Sequence, residues 1–120
     1  SREVVRLAPD EPIRRAIARM LRSGATAGIA VESNGRPVGI LTEKDCFRPT
    51  LHASYYQEWR GAVSDHMSPT PVFVDAGDDP VSAAEMFLAH PHRVFPVLEA
   101  GVLVGMLERR AVLSLLFENG

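Results

Sequence analysis

The sequence has a single cysteine, Cys46, so it can form neither an intrachain disulfide nor a cysteine-paired metal site, and it fits a reducing compartment. No apolar run approaches the roughly 20 residues needed to span a bilayer. The opening "SREVVRLAPDEP" has the charges of a signal peptide without its apolar core. A soluble, cytoplasmic chain with no membrane insertion is expected. A basic surplus is also missing: 13 Lys and Arg against 15 Asp and Glu leave a net charge of −2, which argues against nucleic-acid binding. There is no glycine-rich phosphate loop and no Ser-His-Asp order. His90-Pro91-His92 has no third ligand nearby and makes a poor metal site, so these residues read as loop histidines. The expectation is no catalytic residue, no metal, no required cofactor and no enzyme activity.

With 46% hydrophobic and 23% charged residues, the 120-residue chain is neither disordered nor too short for a real core, and it reads as one domain. It repeats itself. "RLAPDEPIRRAIARML" aligns with "FVDAGDDPVSAAEMFL" at a shift of 68, pairing Ala8 with Ala76, Asp10 with Asp78 and Pro12 with Pro80. "NGRPVGIL" aligns with "AGVLVGML" at a shift of 66, pairing Gly35 with Gly101 and Gly39 with Gly105.

In the first copy, Ile13, Ala16, Ile17, Met20 and Leu21 form the buried stripe of a helix, with Asp10 as its N-cap and Pro12 in its first turn. The second copy offers Val81, Ala84, Met86, Phe87 and Leu88 after Asp78. Residues 27–31 and 37–41 predict a hairpin turning at Asn34-Gly35, a pair suited to positive φ angles. Residues 94–98 and 103–107 predict its twin, turning at Gly101. A helix follows each hairpin, the last with a buried stripe of Ala111, Val112, Leu115 and Leu116. Pro49 is expected to interrupt the helix begun near Thr42, and the following segment to be a helical connector whose Tyr55 and Trp59 pack on the domain.

Each copy is thus strand, helix, strand, strand, helix. A unit of this size cannot cover both faces of a three-stranded sheet, so the fold expected is α/β, with two β-α-β-β-α repeats packed about a pseudo-two-fold axis and a central ligand cleft. Residues 1–60 form the first repeat with its connector, and residues 61–120 the second.

The helix entry "PDEPIRRAIARM", the hairpin end "NGRPVGILTEKD" and the lead-in "VSDHMSPTPVFV" together resemble tandem CBS domains, the pair called a Bateman module. The resemblance covers nearly the whole chain. It implies a non-catalytic sensor of adenosine-containing ligands (AMP, ADP, ATP, or S-adenosylmethionine) bound in the inter-repeat cleft. It also implies a homodimer of modules that regulates an attached or partner enzyme, channel or transporter. The counterpart of Met67 would fall at position −1, so the chain starts just inside the family's pattern, as a fragment of a longer protein would.

Gly39 to Asp45 reads Gly-h-h-Thr-x-x-Asp, where h is apolar. The carboxylate of Asp45 can accept from both vicinal hydroxyls of a ribose. Thr42 offers a hydroxyl where strand gives way to helix, beside N–H groups that favour an anion. Thr-x-x-acid is equally the pattern of a capping box, which does not exclude a ligand. Thr26, Ala27 and Ile40 are candidates for the base slot, and the resemblance implies Arg93 as the cation facing phosphate. In the second copy Glu108 replaces Thr42 and Ala111 replaces Asp45, so one nucleotide per chain is expected. The competing reading is a ligand-free dimerisation scaffold.

Overall fold

A computed structural model describes residues 4–69 and 72–120. The chain divides into two compact units, one on either side of the undescribed residues 70 and 71, each with its own sheet and its own buried side chains.

The first unit runs β1 (Val4–Leu7), α1 (Ile13–Ser23), β2 (Ala27–Val31), β3 (Pro37–Thr42), α2 (Glu43–Tyr56), α3 (Val63–His66) and β4 (Ser68–Pro69). Its sheet has the order β1-β2-β3-β4, with β1 parallel to β2 and the other pairs antiparallel. The second unit runs β5 (Val74–Asp75), α4 (Pro80–Ala89), β6 (Val94–Glu99), β7 (Val102–Glu108) and α5 (Arg109–Asn119). Its sheet repeats the pattern, β5 parallel to β6 and β6 antiparallel to β7. The strand, helix, strand, strand, helix order of both copies is therefore present. The lead-in 63–69, which the repeat assigns to the second copy, packs on the first unit: Val63 is fully buried in its core and β4 extends its sheet.

The first core gathers Leu7, Ile13, Ala16, Ile17, Met20, Leu41, Cys46 and Val63. α1 starts two residues later than Pro12 in the first turn would require: Pro12 is itself the N-cap, in extended backbone, and Asp10 does not cap. The residue that fixes this entry is Glu11. Its buried carboxylate takes both oxygens to Arg19 Nη1, at 2.7 and 2.9 Å, and Arg19 Nη2 donates to the Arg6 carbonyl at 2.8 Å. One guanidinium thus ties α1 to β1 and to the loop between them. Leu21 falls off the buried stripe and is 75% exposed. The helix ends in a Schellman motif, Ala25 N–H donating to the Met20 carbonyl at 2.9 Å.

α2 does not break at Pro49. Cys46, Pro49 and Ala53 are buried at i, i+3 and i+7 on one face, and that burial with a capped N-terminus outweighs the roughly 3 kcal/mol of an interior proline. The Thr50 hydroxyl adds a bond to the Cys46 carbonyl at 2.7 Å. The helix ends at Tyr56 with Gln57 left-handed, φ 55°, so the helical spacing between Tyr55 and Trp59 is lost. Trp59 packs on the core, whereas Tyr55 is exposed.

In the second unit Asp79, not Asp78, caps α4: its Oδ1 accepts from Ser82 N–H at 2.7 Å, with Pro80 at the first helical position. Asp78 instead accepts from Asp75 N–H. Phe95 is fully buried under Phe87, ring centroids 4.5 Å apart, a burial worth roughly 2–3 kcal/mol. The stripes expected on the helices are narrower than read. Ala83 is the buried residue of α4 while Val81 and Leu88 are exposed, and α5 buries Val112 but not Ala111 or Leu115. The two hairpins also turn differently. Asn34 has no positive φ; Gly35 alone does, and Glu32 and Arg36 close the loop. The second hairpin turns tightly at Ala100 and Gly101, φ 51° and 79°, so a residue with a side chain occupies the left-handed region there.

Candidate functional site

Thr42 ends β3 in extended backbone, φ −92° and ψ 167°, and α2 begins at the next residue. A complete capping box closes the junction. The N–H of Asp45 donates to Thr42 Oγ1 at 3.2 Å, and the N–H of Thr42 donates to Asp45 Oδ2 at 2.9 Å. The structural reading of Thr-x-x-Asp is thus realised, and it leaves chemistry over. The Thr42 hydroxyl accepts in this box and keeps its own proton to donate, and Asp45 Oδ1 has no hydrogen bond among the described residues. Both side chains are half-buried, reachable but partly shielded from water.

The sheet register brings the neighbouring candidates to the same junction. Ala27 pairs with Thr42 and Ile29 with Ile40, and Glu43 N–H donates to the Thr26 carbonyl at 3.2 Å. Ile40 and Thr42, two apart on β3, share the face opposite Gly39 and Leu41. Thr26, Ala27, Ile40, Thr42 and Asp45 therefore form one half-buried cluster in the first unit. Gly39 packs against the lead-in: a Cβ there would meet the Met67 side chain and lie 2.9 Å from the Ser68 carbonyl oxygen.

Cys46, the next residue of α2, has its thiol pushed up to about 11, first by burial and then by the charges of Asp45 and Glu43. The thiol is accordingly a packing group rather than a nucleophile.

The second unit reproduces the junction without its side chains. Glu108 stands in extended backbone as the N-cap of α5 but makes no side-chain cap, and Ala111 holds the place of Asp45. Arg109 N–H donates to the Arg93 carbonyl at 2.8 Å, just as Glu43 N–H does to Thr26. Arg93 is thus the repeat counterpart of Thr26, a relationship that the HRVFPV string alone does not reveal because its helix-to-strand loop differs in length. Its side chain is exposed, in the second unit.

Sequence reasoning missed a second feature of the first unit. A pocket of about 430 Å³ opens between α1 and α2, walled by Ile17, Met20, Leu21, Cys46, Phe47 and Trp59, with Arg14 and Glu43 also on its lining. The signal was present in Phe47, Leu51 and Tyr55, which recur every four residues along α2 and all lie exposed. Among the described residues no group of His, Cys, Asp and Glu could hold a metal ion, and no helix is long and apolar enough to cross a membrane.

The CBS domain family model matches residues 1–49 and 63–118. The chain belongs to the CBS domain family. Two matches in one chain bear out the tandem pair expected from the repeat. Among curated proteins none matches the sequence. Solved structures with the same fold include CBSX2 from Arabidopsis thaliana in complex with AMP, 24% identical, with a TM-score of 0.75 over 97% of this chain and 87% of that one. OpuCA of Staphylococcus aureus is 17% identical, with a TM-score of 0.78 over 97% of this CBS pair and 94% of that chain. The cytosolic domain of the Mg2+ channel MgtE in complex with ATP is 22% identical, with a TM-score of 0.79 over 96% of this chain and 46% of that one. At these identities the likeness establishes the fold.

Proposed function

We propose that this CBS pair is a non-catalytic regulatory module that binds one adenine nucleotide, AMP, ADP or ATP, at the Thr42–Asp45 junction of the first unit. The observation that carries the reading is the asymmetry between copies: the first junction keeps an unspent hydroxyl proton on Thr42 and a carboxylate oxygen on Asp45, whereas the second has Ala111 in place of the acid and, in place of the hydroxyl, the Glu108 carboxylate, which would repel a phosphate. Asp45 Oδ1 with the remaining lone pair of Oδ2 accepts from the two ribose hydroxyls, and Thr42 donates to phosphate. Thr26, Ala27 and Ile40 border the base, and Arg93 enters from the family resemblance as the phosphate's cation. Two proteins of the same fold were crystallised with AMP and with ATP, which supports this ligand class. Binding regulates an attached or partner enzyme or transporter only insofar as the nucleotide favours one arrangement of the module over another.

Calorimetric titration of the parent and of Asp45→Ala with AMP, ADP, ATP and S-adenosylmethionine tests the site. Loss of a charge-assisted pair of hydrogen bonds corresponds to a weakening of about 10- to 100-fold in the variant. Absence of binding by every ligand, or equal binding by both proteins, removes the reading.

A second reading, a dimerisation scaffold that needs no ligand, draws on the face between α1 and α2. Leu21 and Phe47, on the wall of the apolar pocket, are 75% and 65% exposed, and among the described residues its lining carries one cation, Arg14, and one anion, Glu43. A face with both signs is complementary to itself under a two-fold, so the occupant we assign to it is a second copy of the chain. Sedimentation of the parent against Phe47→Arg measures this: a dimer that the substitution dissociates supports it, and a monomeric parent removes it.

A further inference from the structure

The two histidines of "HPHR" form a cluster in the second unit that nucleotide binding does not use. His90 is the C-cap of α4, its N–H donating to the Met86 carbonyl at 3.1 Å. His92 lies almost flat on Phe95, ring centroids 5.2 Å apart at 27°, and His90 meets both rings edge-on, at 5.5 and 6.0 Å. Phe95 is the fully buried centre of this unit. His92 Nδ1 is buried and has no hydrogen-bond partner among the described residues.

The two protonation states of His92 fare differently in this setting. A neutral ring with its proton on Nε2 leaves only a lone pair at Nδ1. The imidazolium of this half-buried ring would place a charged N–H donor at the buried Nδ1, against an aromatic core and with no acceptor among the described residues, so the charged form loses part of its hydration. His90 differs, because a helix C-terminus favours a cation. A charge on His90 opposes a second charge on His92. Burial, and then His90, accordingly hold the His92 pKa below the usual 6.5. The charged residues of the surrounding elements are Arg93 before β6, Glu108 ending β7, and Arg109 and Arg110 opening α5; through space, His90 holds the His92 pKa down.

We propose that the His90–His92 pair is an acid-sensitive device in the second unit: a proton on His92 loosens the junction between α4 and β6, the segment that carries Arg93. The effect reaches α5 through the Arg93 carbonyl, which holds the first N–H of that helix. The sign follows from linkage. A histidine whose folded pKa lies below its unfolded value adds stability that is complete above the unfolded value of 6.5 and is lost as pH falls through the folded one.

The test uses the full chain and no nucleotide, so its outcome is independent of the ligand proposed above. Proton NMR titration of the imidazole signals, with His92→Phe identifying the missing one, is expected to place the His92 midpoint below 6.5; a midpoint at or above that value overturns the proposal. Urea midpoints at about pH 7.5 and about pH 5.5 give a second reading. The parent should lose more of its midpoint on acidification than His92→Phe, which keeps the stacked ring but cannot titrate. An equal loss in the two proteins overturns it. If His92→Phe fails to fold, the Hε1 and Hδ2 signals assigned in the parent through the 91–93 backbone decide the question alone.

Discussion

Thr42 and Asp45 hold each other twice, each main-chain N–H donating to the other's side chain, at 2.9 and 3.2 Å. Because the box serves the helix and leaves one carboxylate oxygen over, the two roles of Asp45 come apart under substitution. Asp45→Glu keeps an acid able to reach back to Thr42, as the commoner capping boxes do, so its stability should match the parent within about 0.5 kcal/mol. Its carboxylate is carried one methylene farther, so nucleotide affinity should fall about tenfold. Thr42→Ala should lower stability by about 1 kcal/mol in urea denaturation and weaken binding as well. A variant of Asp45 that loses stability and affinity in strict proportion would leave only the cap.

Gly39 and Gly105 occupy matching places in the two hairpins but not matching surroundings. A Cβ on Gly39 meets Met67 and the Ser68 carbonyl, whereas one on Gly105 meets nothing within 4 Å. Gly39→Ala should therefore prise β4 from β3 and cost about 1–3 kcal/mol. Gly105→Ala should be neutral or stabilise by up to about 1 kcal/mol, since glycine is the less favourable residue in a strand. Thermal unfolding of the two variants side by side measures the contrast.

Ala100 carries a methyl group in the left-handed region at φ 51°. Asn or Gly accepts that conformation more readily, so Ala100→Asn should stabilise the chain by about 0.5–1 kcal/mol. The gain should be read as a higher urea midpoint with unchanged slope.

Cys46 should resist alkylation. With its thiol near 11 against an ordinary 9.0, the thiolate available at neutral pH is lower by on the order of a hundredfold, and burial adds a steric block. Iodoacetamide labelling followed by mass spectrometry should find the native protein unmodified under conditions that label it fully in urea. In pH terms, a raised thiol pKa contributes stability that is present below the unfolded value of 9.0 and is lost as pH rises toward 11.

The order of elements was legible because a repeat states each pattern twice, and the hairpins and the Thr42 helix start fell where alternation and turn residues put them. Misreadings cluster where a tertiary contact overrode a local signal. Asp10 looks like a cap, but the entry to α1 is set by the Glu11–Arg19 ion pair, between residues eight apart whose pairing no local pattern announces. Pro49 looks like a helix breaker, but it lies on the buried face of α2. Leu21, Leu88 and Leu115 extend apolar stripes onto faces that remain exposed, since periodicity marks which side of a helix is apolar and not whether anything covers it. Of the candidate site, the capping box was legible in the Thr-x-x-Asp spacing, while the equivalence of Thr26 and Arg93 needed the two backbone bonds that mark it.

The lead-in packed on the first unit means that the stretch of chain that repeats and the stretch that folds are out of step. Cutting after residue 60, where the repeat pattern would divide the chain, removes Val63 from the core and leaves the outer edge of β3 bare. An unpaired strand edge of that kind invites aggregation, so the shortened piece should precipitate where a piece ending at Pro69 stays in solution.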